Sequence, residues 1–530
     1  MKHCPVVLIA FEEYDNLGIG YLASVLSEEG FDTRVIDFVL GKTEILKILK
    51  RLNPMIIGFS VVFEHYIREF ADMISYFRKN GIACHITAGG HYASLRYKDL
   101  FEHIPSIDSV VRFEGEYILL DLVNNIYASK EWREIKGIAY RKNGEVVSNP
   151  VRPLEQDLDR FPYPMRSPLK DYAFDRKFAT ILAGRGCVHD CCFCDIREFY
   201  LQPSGPVKRI RKPEKIVREI ELMYYEKNCS VFLFQDDDFP VRINKRSGWI
   251  ERFCKELNRK GLDDKIIWKI NCRPDEIDLE SFTMMKEHGL FLVFIGIEDG
   301  TDIGLSRLNK HMTVGKSLEG INILKRLRIG FDYGFMPFQP ASTFSSIREN
   351  FNFLRKICDN GYTPVSFLKL LPYFATNIEK ELRNEGRLIG KPGSFDYKFL
   401  DESLDHYYEF ITSCLLGWLR DPEGLLNVLK WARNYLLVFA HFFKTTAETR
   451  ALSKNVKLIT AESNRFLIDT LEGLASLFES GQNKYTNPIE LKKVRENINT
   501  KHEFYKTQIN ELMTDLLIIA ENQKQYLSVF

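Results

Sequence analysis

The chain has 530 residues, of which 45% are hydrophobic and 27% are charged. One hydrophobic core rarely serves so long a chain, so we expect two or three domains. Lys and Arg number 73 against 72 for Asp and Glu. This near balance gives no general attraction to nucleic acid or to an anionic membrane, and nucleic acid is not an expected partner.

The amino-terminal residues MKHCPVVLIAFEEY lack the basic segment, the long apolar run and the cleavage site of an export signal. The most apolar late stretch, LLNVLKWARNYLLVFAHFF, contains Lys430 and Arg433 and falls short of an uncharged membrane span. We therefore expect a cytoplasmic protein without a membrane span. In that compartment a cluster of cysteines suggests metal or redox chemistry, and scattered cysteines suggest buried thiols.

Residues 1–125 alternate β-branched runs with amphipathic helical patterns, which predicts a five-stranded, doubly wound parallel sheet with helices on both faces. The strand candidates are PVVLIAF, TRVIDF, MIIGFSV, ACHITAGG and SVVRFEG. Ligands of such sheets bind beyond the carboxyl ends of the strands. A site is therefore expected in the loops EEYDNLGIG, SVVFEHY, GGHYAS and FEGEY.

Three further regions follow this first domain. Residues 126–175 are rich in turn formers, with at most a short hairpin around an Asn-Gly pair, and we interpret them as a connector. Six strand candidates over residues 176–375 fit a partial (β/α)6 barrel of TIM type, namely FATILAG, SVFLFQDDD, IIWKINC, LFLVFIGIE, FDYGFMPFQP and PVSFLKLLP. Residues 376–530 are expected to form a helical domain that caps the substrate site.

Four of the eleven cysteines fall within GRGCVHDCCFC, directly after the first barrel strand. Cys187, Cys191 and Cys194 place three thiols on one short loop, and thiolates are the usual ligands of iron-sulfur clusters. Three ligands leave the fourth iron of a [4Fe-4S] cluster open to a substrate or cofactor. Structural zinc is the weaker alternative, since it usually needs a fourth ligand from a second CxxC. Cys192 is interpreted as a spare thiol.

At these cysteines the chain resembles the radical S-adenosylmethionine (SAM) enzymes, whose signature is CxxxCxxC after the first strand of a partial barrel. The resemblance implies that the open iron binds SAM and that the reduced cluster cleaves it to a 5′-deoxyadenosyl radical. Phe193 matches the aromatic position near the adenine. Carboxylates suit the ammonium and ribose hydroxyls of SAM, and arginine suits its carboxylate. The further candidates for SAM binding are Asp236, Asp237, Arg273 and Glu298.

Those carboxylates could instead cap the helices that follow the strands. The motif GIEDGT at residues 296–301 departs from the commoner serine form at Asp299. The role of Asp299 therefore stays open at this point.

The first domain resembles the cobalamin-binding domain of one large class of radical SAM enzymes. The matching segments are NLGIGYLASVLSEEGFDTRVIDF, IIGFSVV, ITAGGHYAS and VVRFEGE. The cobalamin contacts implied by the resemblance are Asn16, Leu17, Gly18, Ser60, Gly89, Gly90, His91, Glu114 and Gly115. The small residues among them would let a bulky corrin approach the backbone. The mutase motif DxHxxG is absent from the sequence, so cobalt ligation by His91 or His65 is the less favoured reading.

The two resemblances together imply a cobalamin-dependent radical SAM enzyme. The commonest reaction is class B methyl transfer: one SAM methylates cobalamin, a second yields the radical that activates the substrate, and the substrate takes the methyl group on an unactivated carbon or phosphorus. A cyclase or ring-rearranging enzyme and a non-catalytic cobalamin-binding protein are the alternatives. Methylthiotransferases are disfavoured because their additional amino-terminal cysteine triad is missing. Expected partners are a small-molecule or peptide substrate and an external reductant such as flavodoxin or ferredoxin.

Overall fold

The computed structural model describes residues 2–12, 15–242, 248–480 and 488–527. Its first sheet consists of β1 (Lys2–Ala10), β2 (Phe31–Asp37), β3 (Ile56–Ser60), β4 (His85–Gly89), β5 (Ser109–Val111), β6 (Ile138–Lys142) and β7 (Glu145–Ser148). The order across the sheet is β2-β1-β3-β4-β5-β6-β7. The first five strands are parallel, which confirms the predicted doubly wound sheet. The strand order reverses between β1 and β3, where such folds bind ligands.

Helices cover both faces of this sheet because the side chains of its strands alternate between the faces. One face packs against the helices Leu17–Glu28 and Glu116–Tyr127. The other packs mainly against the helices Gly41–Leu52, Ile67–Lys79 and Tyr97–His103, and the short helix His91–Leu95 follows β4. The side chain of Asn16 caps the first of these helices by accepting a hydrogen bond from the Ile19 N–H (3.2 Å).

The hairpin predicted around the Asn-Gly pair extends the first sheet. Asn143 and Gly144 both have positive φ, 52° and 87°, as a two-residue type I′ turn requires. β6 pairs antiparallel with β5, and β7 pairs antiparallel with β6. The hairpin is therefore part of the first sheet, although the sequence suggested a connector at this position.

The second half of the chain builds a curled partial barrel. Its strands and an adjoining short pair are β8 (Asp171–Ala173), β9 (Arg176–Ile181), β10 (Gly184–Arg185), β11 (Arg209–Ile210), β12 (Cys229–Phe234), β13 (Ile267–Cys272), β14 (Leu290–Glu298) and β15 (Gly330–Phe335). The barrel sheet has the order β15-β14-β13-β12-β9-β8, whereas β10 and β11 pair with each other. Five of its strands are parallel, and β8 is antiparallel at the edge.

The sixth predicted barrel strand is irregular. Leu368 N–H donates to the Phe335 carbonyl (2.9 Å), and Leu370 N–H donates to the Phe338 carbonyl (2.9 Å). An isolated parallel bridge joins Phe338 to Lys369. This segment thus lies beside β15 in the sixth position without forming a continuous ladder.

Helices pack on the outer face of the barrel, where they bury alternate residues of its strands in the largest hydrophobic core. The helices of this part of the chain are Ile196–Leu201, Pro213–Lys227, Trp249–Arg259, Leu279–Glu287, Asp302–Arg307, Val314–Arg326, Phe344–Cys358 and Asn377–Asn384. The intervening strand residues face the lumen.

The carboxyl-terminal region is helical, as predicted. After the short pair β16 (Leu388–Ile389) and β17 (Asp396–Tyr397) come the helices Glu402–Leu419, Leu425–Phe442, Ala447–Glu479 and Pro488–Leu527. The second of these packs against β14 and β15, and the third packs against the helix Phe344–Cys358. Among the described residues, no helix combines the length and the apolar character that crossing a bilayer requires.

Candidate functional site

A single cavity lies between the carboxyl-terminal edges of the two sheets. Its volume is about 260 Å³, close to the lower end of the size range of ligand sites. Eight of the nine residues predicted to contact cobalamin line it, namely Asn16, Gly18, Ser60, Gly89, Gly90, His91, Glu114 and Gly115. Leu17 is buried instead in a small core with Tyr21 and Phe161.

The barrel completes the wall of this cavity. Its contribution consists of Leu182, Gly184, Arg185, Phe199, Tyr200, Gln235 and Asp237. Most of these residues were absent from the sequence prediction because they come from the other domain, and no motif identifies them. Asp237 is the exception, as a predicted SAM contact that faces the cavity. The cavity is therefore shared by the two domains.

The backbone of the cavity wall depends on Gly90. This residue has a φ of 108°, and a Cβ atom there would lie 2.7 Å from the Val61 carbonyl oxygen. Any other residue would be strained and would push away the loop after β3. The Gly-Gly pair thus lets the β3 and β4 loops pass close together beneath the cavity.

His91 is the better placed of the two histidines considered for cobalt. Its ring stacks on Phe199 with centroids 4.1 Å apart and an interplanar angle of 5°, and its Nδ1 lies 3.6 Å from the Asp195 carboxylate. His65 stacks on Phe63 and is not among the cavity-lining residues. Packing between the domains therefore orients the His91 ring at the cavity wall.

A buried ionic cluster joins the domains beside the cavity. Arg185 pairs with Glu116 (2.6 Å) and Glu114 (3.1 Å), and Arg209 pairs with Glu114 (2.8 Å). Burial would raise the pKa of Glu114, but the two guanidinium groups outweigh it and lower that pKa. The carboxylate of Glu114 therefore stays ionised and serves the domain interface, while the residue also lines the cavity.

Replacing Arg185 with alanine should strongly destabilise the protein, because it leaves Glu116 buried without its cation. We expect a loss of about 3–5 kcal/mol in the free energy of unfolding, measured by urea denaturation. The matched control is Arg252→Ala, which removes an exposed pair with Glu214 (2.8 Å) and should cost less than about 1 kcal/mol. Equal stability of the two variants would contradict the assignment of a structural role to the Arg185 cluster.

The three motif cysteines lie half-buried on the loop after β10, and the described chain contains no disulfide. Gly186 starts the loop with a φ of 79°, where a Cβ atom would lie 1.8 Å from the Val207 carbonyl oxygen. Burial raises the pKa of Cys187 to about 11. Cys187, His189 and Asp238 offer ligand atoms within 4.8 Å of one another. This group includes Cys187 but neither Cys191 nor Cys194, which lie on the same loop. A metal group bound by the cysteines would supply the positive charge that thiolate formation needs.

The thiol of Cys192 makes contacts that differ from those of a metal ligand. Its Sγ donates to the Arg307 carbonyl (3.3 Å), and its N–H donates to the Leu308 carbonyl (3.1 Å). The same segment supports the loop through Asn309, whose side chain donates to the Asp190 carbonyl (3.0 Å). These contacts favour the interpretation of Cys192 as a spare thiol.

The two aspartates after β12 serve different purposes. Asp236 is buried and accepts hydrogen bonds from the N–H groups of Ala183 (3.0 Å) and Gly184 (2.6 Å), and burial raises its pKa to about 7. Asp237 accepts from the Gly186 N–H (2.9 Å) and faces the cavity. Asp236 thus fixes the turn before the cysteine loop, which leaves Asp237 as the carboxylate available to a ligand.

The other predicted SAM contacts meet around Lys310, a residue that sequence reasoning missed. Lys310 is 4% exposed, and its Nζ lies 3.0 Å from the Glu298 carboxylate and 6.0 Å from the centroid of the Phe193 ring. Its carbonyl accepts a hydrogen bond from Arg273 (2.5 Å). The Arg273 Nη1 atom is buried without a partner among the described residues. That orphaned donor fits a carboxylate ligand such as the one in SAM.

Asp299 is a buried residue that stabilises a turn. It accepts hydrogen bonds from Thr301 N–H (2.7 Å) and Gln339 Nε2 (2.6 Å), and it is 3% exposed. A Cβ atom on Gly304 would lie only 2.2 Å from its carboxyl carbon. Burial raises the pKa of Asp299 to about 6. This residue organises the turn into the helix Asp302–Arg307.

Comparison with known proteins identifies the two domains that border this cavity. The family described as B12 binding domain matches residues 5–123, and the Radical SAM superfamily matches residues 181–354. The chain thus combines these two domains and belongs to the cobalamin-dependent radical SAM enzymes. The implied cofactors are cobalamin, SAM and a [4Fe-4S] cluster.

Several known proteins are similar to this chain. The chain is 28% identical to an uncharacterised methyltransferase of Pyrococcus horikoshii, over 68% of this chain and 77% of the relative. It is 27% identical to an anaerobic magnesium-protoporphyrin IX monomethyl ester cyclase of Cereibacter sphaeroides, over 69% and 60%. The solved enzyme OxsB superposes with a TM-score of 0.67 at 19% identity, over 94% of this chain and 84% of OxsB. The methyltransferase TsrM of Kitasatospora setae gives 0.62 at 16% identity, over 72% and 75%.

Proposed function

We propose that the protein is a class B methyltransferase, which uses cobalamin and SAM to methylate an unactivated carbon or phosphorus of a biosynthetic intermediate. The observation that carries this proposal is the single cavity shared by the B12-binding domain and the radical SAM domain. Asp237 and the turn before the cysteine loop line it from one side, and the cobalamin-binding loops line it from the other. The methyltransferases among the relatives support the same reaction.

The radical SAM domain needs three cysteine ligands for its cluster and a pocket for SAM. Cys187, Cys191 and Cys194 would hold a [4Fe-4S] cluster, which supplies electrons for SAM cleavage when bound. The chain's own part is to position SAM. Arg273 would bind its carboxylate, and Asp237 and Glu298 would accept hydrogen bonds from its ammonium and hydroxyl groups.

The other half of the site would hold cobalamin. Gly18, Ser60, Gly89 and Gly90 keep side chains out of the cavity, and His91 stands fixed at its wall by Phe199. No basic group is required at the reacting carbon, so the residues contribute by orienting the groups and excluding water. We assign cobalamin binding to residues 1–125 and radical chemistry to residues 176–375. Residues 126–175 would connect these domains, and residues 376–530 would cap the substrate.

The second candidate is a cyclase with the same cofactors, because anaerobic ester cyclases are among the relatives. The substrate in either case would be a small molecule or a peptide, and an external reductant such as flavodoxin or ferredoxin would reduce the cluster. The two reactions differ in their products. Methyl transfer consumes two SAM molecules and releases S-adenosylhomocysteine, whereas cyclisation does not form S-adenosylhomocysteine.

The test is a product analysis of the reconstituted enzyme with SAM, a reductant and panels of candidate substrates, under anaerobic conditions. A methyltransferase should form 5′-deoxyadenosine and S-adenosylhomocysteine in nearly equal amounts with its substrate. Formation of 5′-deoxyadenosine alone would favour the cyclase. Lack of both products with every panel, from enzyme containing both cofactors, would contradict the proposed activity. A variant with alanine at Cys191 is the background control.

A further inference from the structure

The barrel lumen contains charged side chains that the proposed chemistry does not use. Ile270 in β13, Val293 in β14 and Tyr333 in β15 pack in the hydrophobic core between the barrel strands and the helices on its outer face. Lys269 and Phe294, at the adjacent positions, therefore face the lumen. The Nζ of Lys269 lies 5.8 Å from the centroid of the Phe294 ring. An ammonium group thus lies halfway along the inside of the barrel.

The helix Leu425–Phe442 closes the lower end of this lumen and brings two more cations. Arg433 pairs with Asp332 (2.8 Å), which lies opposite Phe294 in the sheet. Lys430 lies one helical turn before Arg433, and its charge interacts with Asp332 and Arg433. The floor of the lumen therefore holds three basic side chains around one carboxylate.

Two of these three cations have no counter-ion of their own. Neither Lys269 nor Lys430 has a hydrogen-bond or ion-pair partner among the residues the structure describes, although both are half-buried. Burial lowers the pKa of both ammonium groups, and the attraction of Asp332 only partly offsets it. Half-buried cations without partners are costly to a fold, and they recur where a ligand completes the site.

Two apolar side chains above this floor are exposed. Interiors of TIM-type barrels are usually filled by packed side chains, yet Phe294 is 38% exposed in the middle of its strand. The next positions on the same face are Gly296 and Gly334, and the Glu298 carboxylate lies against both, since Cβ atoms there would be 2.5 and 3.1 Å from its oxygens. Leu368, on the segment beside β15, is 52% exposed. An apolar part of a ligand could lie along these side chains.

We propose that Lys269 and Lys430 bind an anionic group, a carboxylate or a phosphate, at one end of the substrate. This inference rests on the proposed function, since it places the substrate in the barrel below the cofactors. Lys269 precedes Arg273 by four residues, so the anion would lie on the order of 10 Å below the carboxyl ends of the strands. The substrate is thus an amphipathic anion whose reacting atom is separated from its charge by an apolar stretch.

The test is calorimetric titration of the reconstituted protein, loaded with cluster, cobalamin and SAM, with four probes of equal chain length. Octyl phosphate and octanoate should both bind. The one with the higher affinity shows whether the site favours a phosphate or a carboxylate. Octanol and octylamine should bind at least about tenfold more weakly. In Lys269→Ala and Lys430→Ala the affinity for the anions should fall by about tenfold or more.

The matched control is Lys286→Ala, which removes a half-buried lysine on the helix Leu279–Glu287, outside the lumen. Its anion affinity should equal that of the wild type, and Lys269→Arg should retain most of the binding. Thermal unfolding of each variant checks its folding. The proposal is overturned if neither anion binds, if octanol binds as tightly as octanoate, or if the lysine substitutions change nothing. Titration requires no turnover, so a failure of the proposed reaction would appear separately, as missing 5′-deoxyadenosine.

Discussion

Replacing Cys187, Cys191 or Cys194 with alanine is expected to abolish formation of 5′-deoxyadenosine from SAM. Each thiol is one of the three proposed cluster ligands on a single loop, and around Cys187 the described residues add only His189 and Asp238 as nearby donors. We expect rates to fall by more than about a hundredfold, since changes in residues that merely support a metal ligand already cost 10–100-fold. Anaerobic assays with dithionite, together with iron analysis of each variant, check this result.

Cys192→Ala provides the matched control within the same loop. Its thiol is engaged with the Arg307 carbonyl, so iron content and the rate of 5′-deoxyadenosine formation should stay within about twofold of the wild type. A fully active Cys191→Ala variant, or an inactive Cys192→Ala variant with normal folding, would refute the ligand assignment.

A second large effect is expected from filling the shared cavity. Gly18→Trp places a large ring at an exposed position on the cavity wall, near the start of the helix Leu17–Glu28. Bound cobalt should drop from about one per chain to nearly none, while the iron content is kept. Metal analysis of the purified, reconstituted variant measures both quantities in one sample.

Gly18→Ala separates cavity filling from damage to the helix. A Cβ atom at this position meets no atom closer than the Asn16 Oδ1 at 3.5 Å, and alanine favours a helix over glycine by about 1 kcal/mol. This variant should bind cobalt normally. If the tryptophan variant also retained its cobalt, cobalamin would have to bind elsewhere than in the shared cavity.

Much of the fold could be predicted because each strand has a clear hydrophobic pattern. The parallel strands of both sheets were recognisable as β-branched runs that alternate with helical patterns. The sixth barrel strand was harder, since PVSFLKLLP has the composition of a strand but forms only an isolated bridge. Its neighbours beyond the sheet, and not its own sequence, decide whether it forms a ladder.

The sequence predicts candidate site residues where one motif on one loop carries the proposed chemistry. Cys187, Cys191 and Cys194 are an example, and so are the glycines after β4. Arg185 and Lys310 were missed because they act through partners that are distant in sequence, Glu116 and Glu298. A lone basic residue gives no signal until folding shows what it pairs with.

Neighbouring residues of one predicted motif have different roles in the structure. Asp236 and Asp237 are adjacent in sequence, but their side chains face different surroundings. The carboxylate of Asp236 accepts hydrogen bonds from two backbone N–H groups. Leu17 likewise turns into a small core, whereas Gly18 lines the cavity. Sequence motifs therefore predicted loops that border the shared cavity but could not tell which residue of each loop faces it.

The proposed enzyme must hold both metal cofactors in one chain. The decisive measurement is the iron and cobalt content of a single sample, purified without oxygen from cells supplied with cobalamin and then reconstituted. We predict about four irons and one cobalt per chain. Iron without cobalt would contradict the proposed methyl transfer, because the shared cavity would then lack the group from which the substrate is proposed to take its methyl.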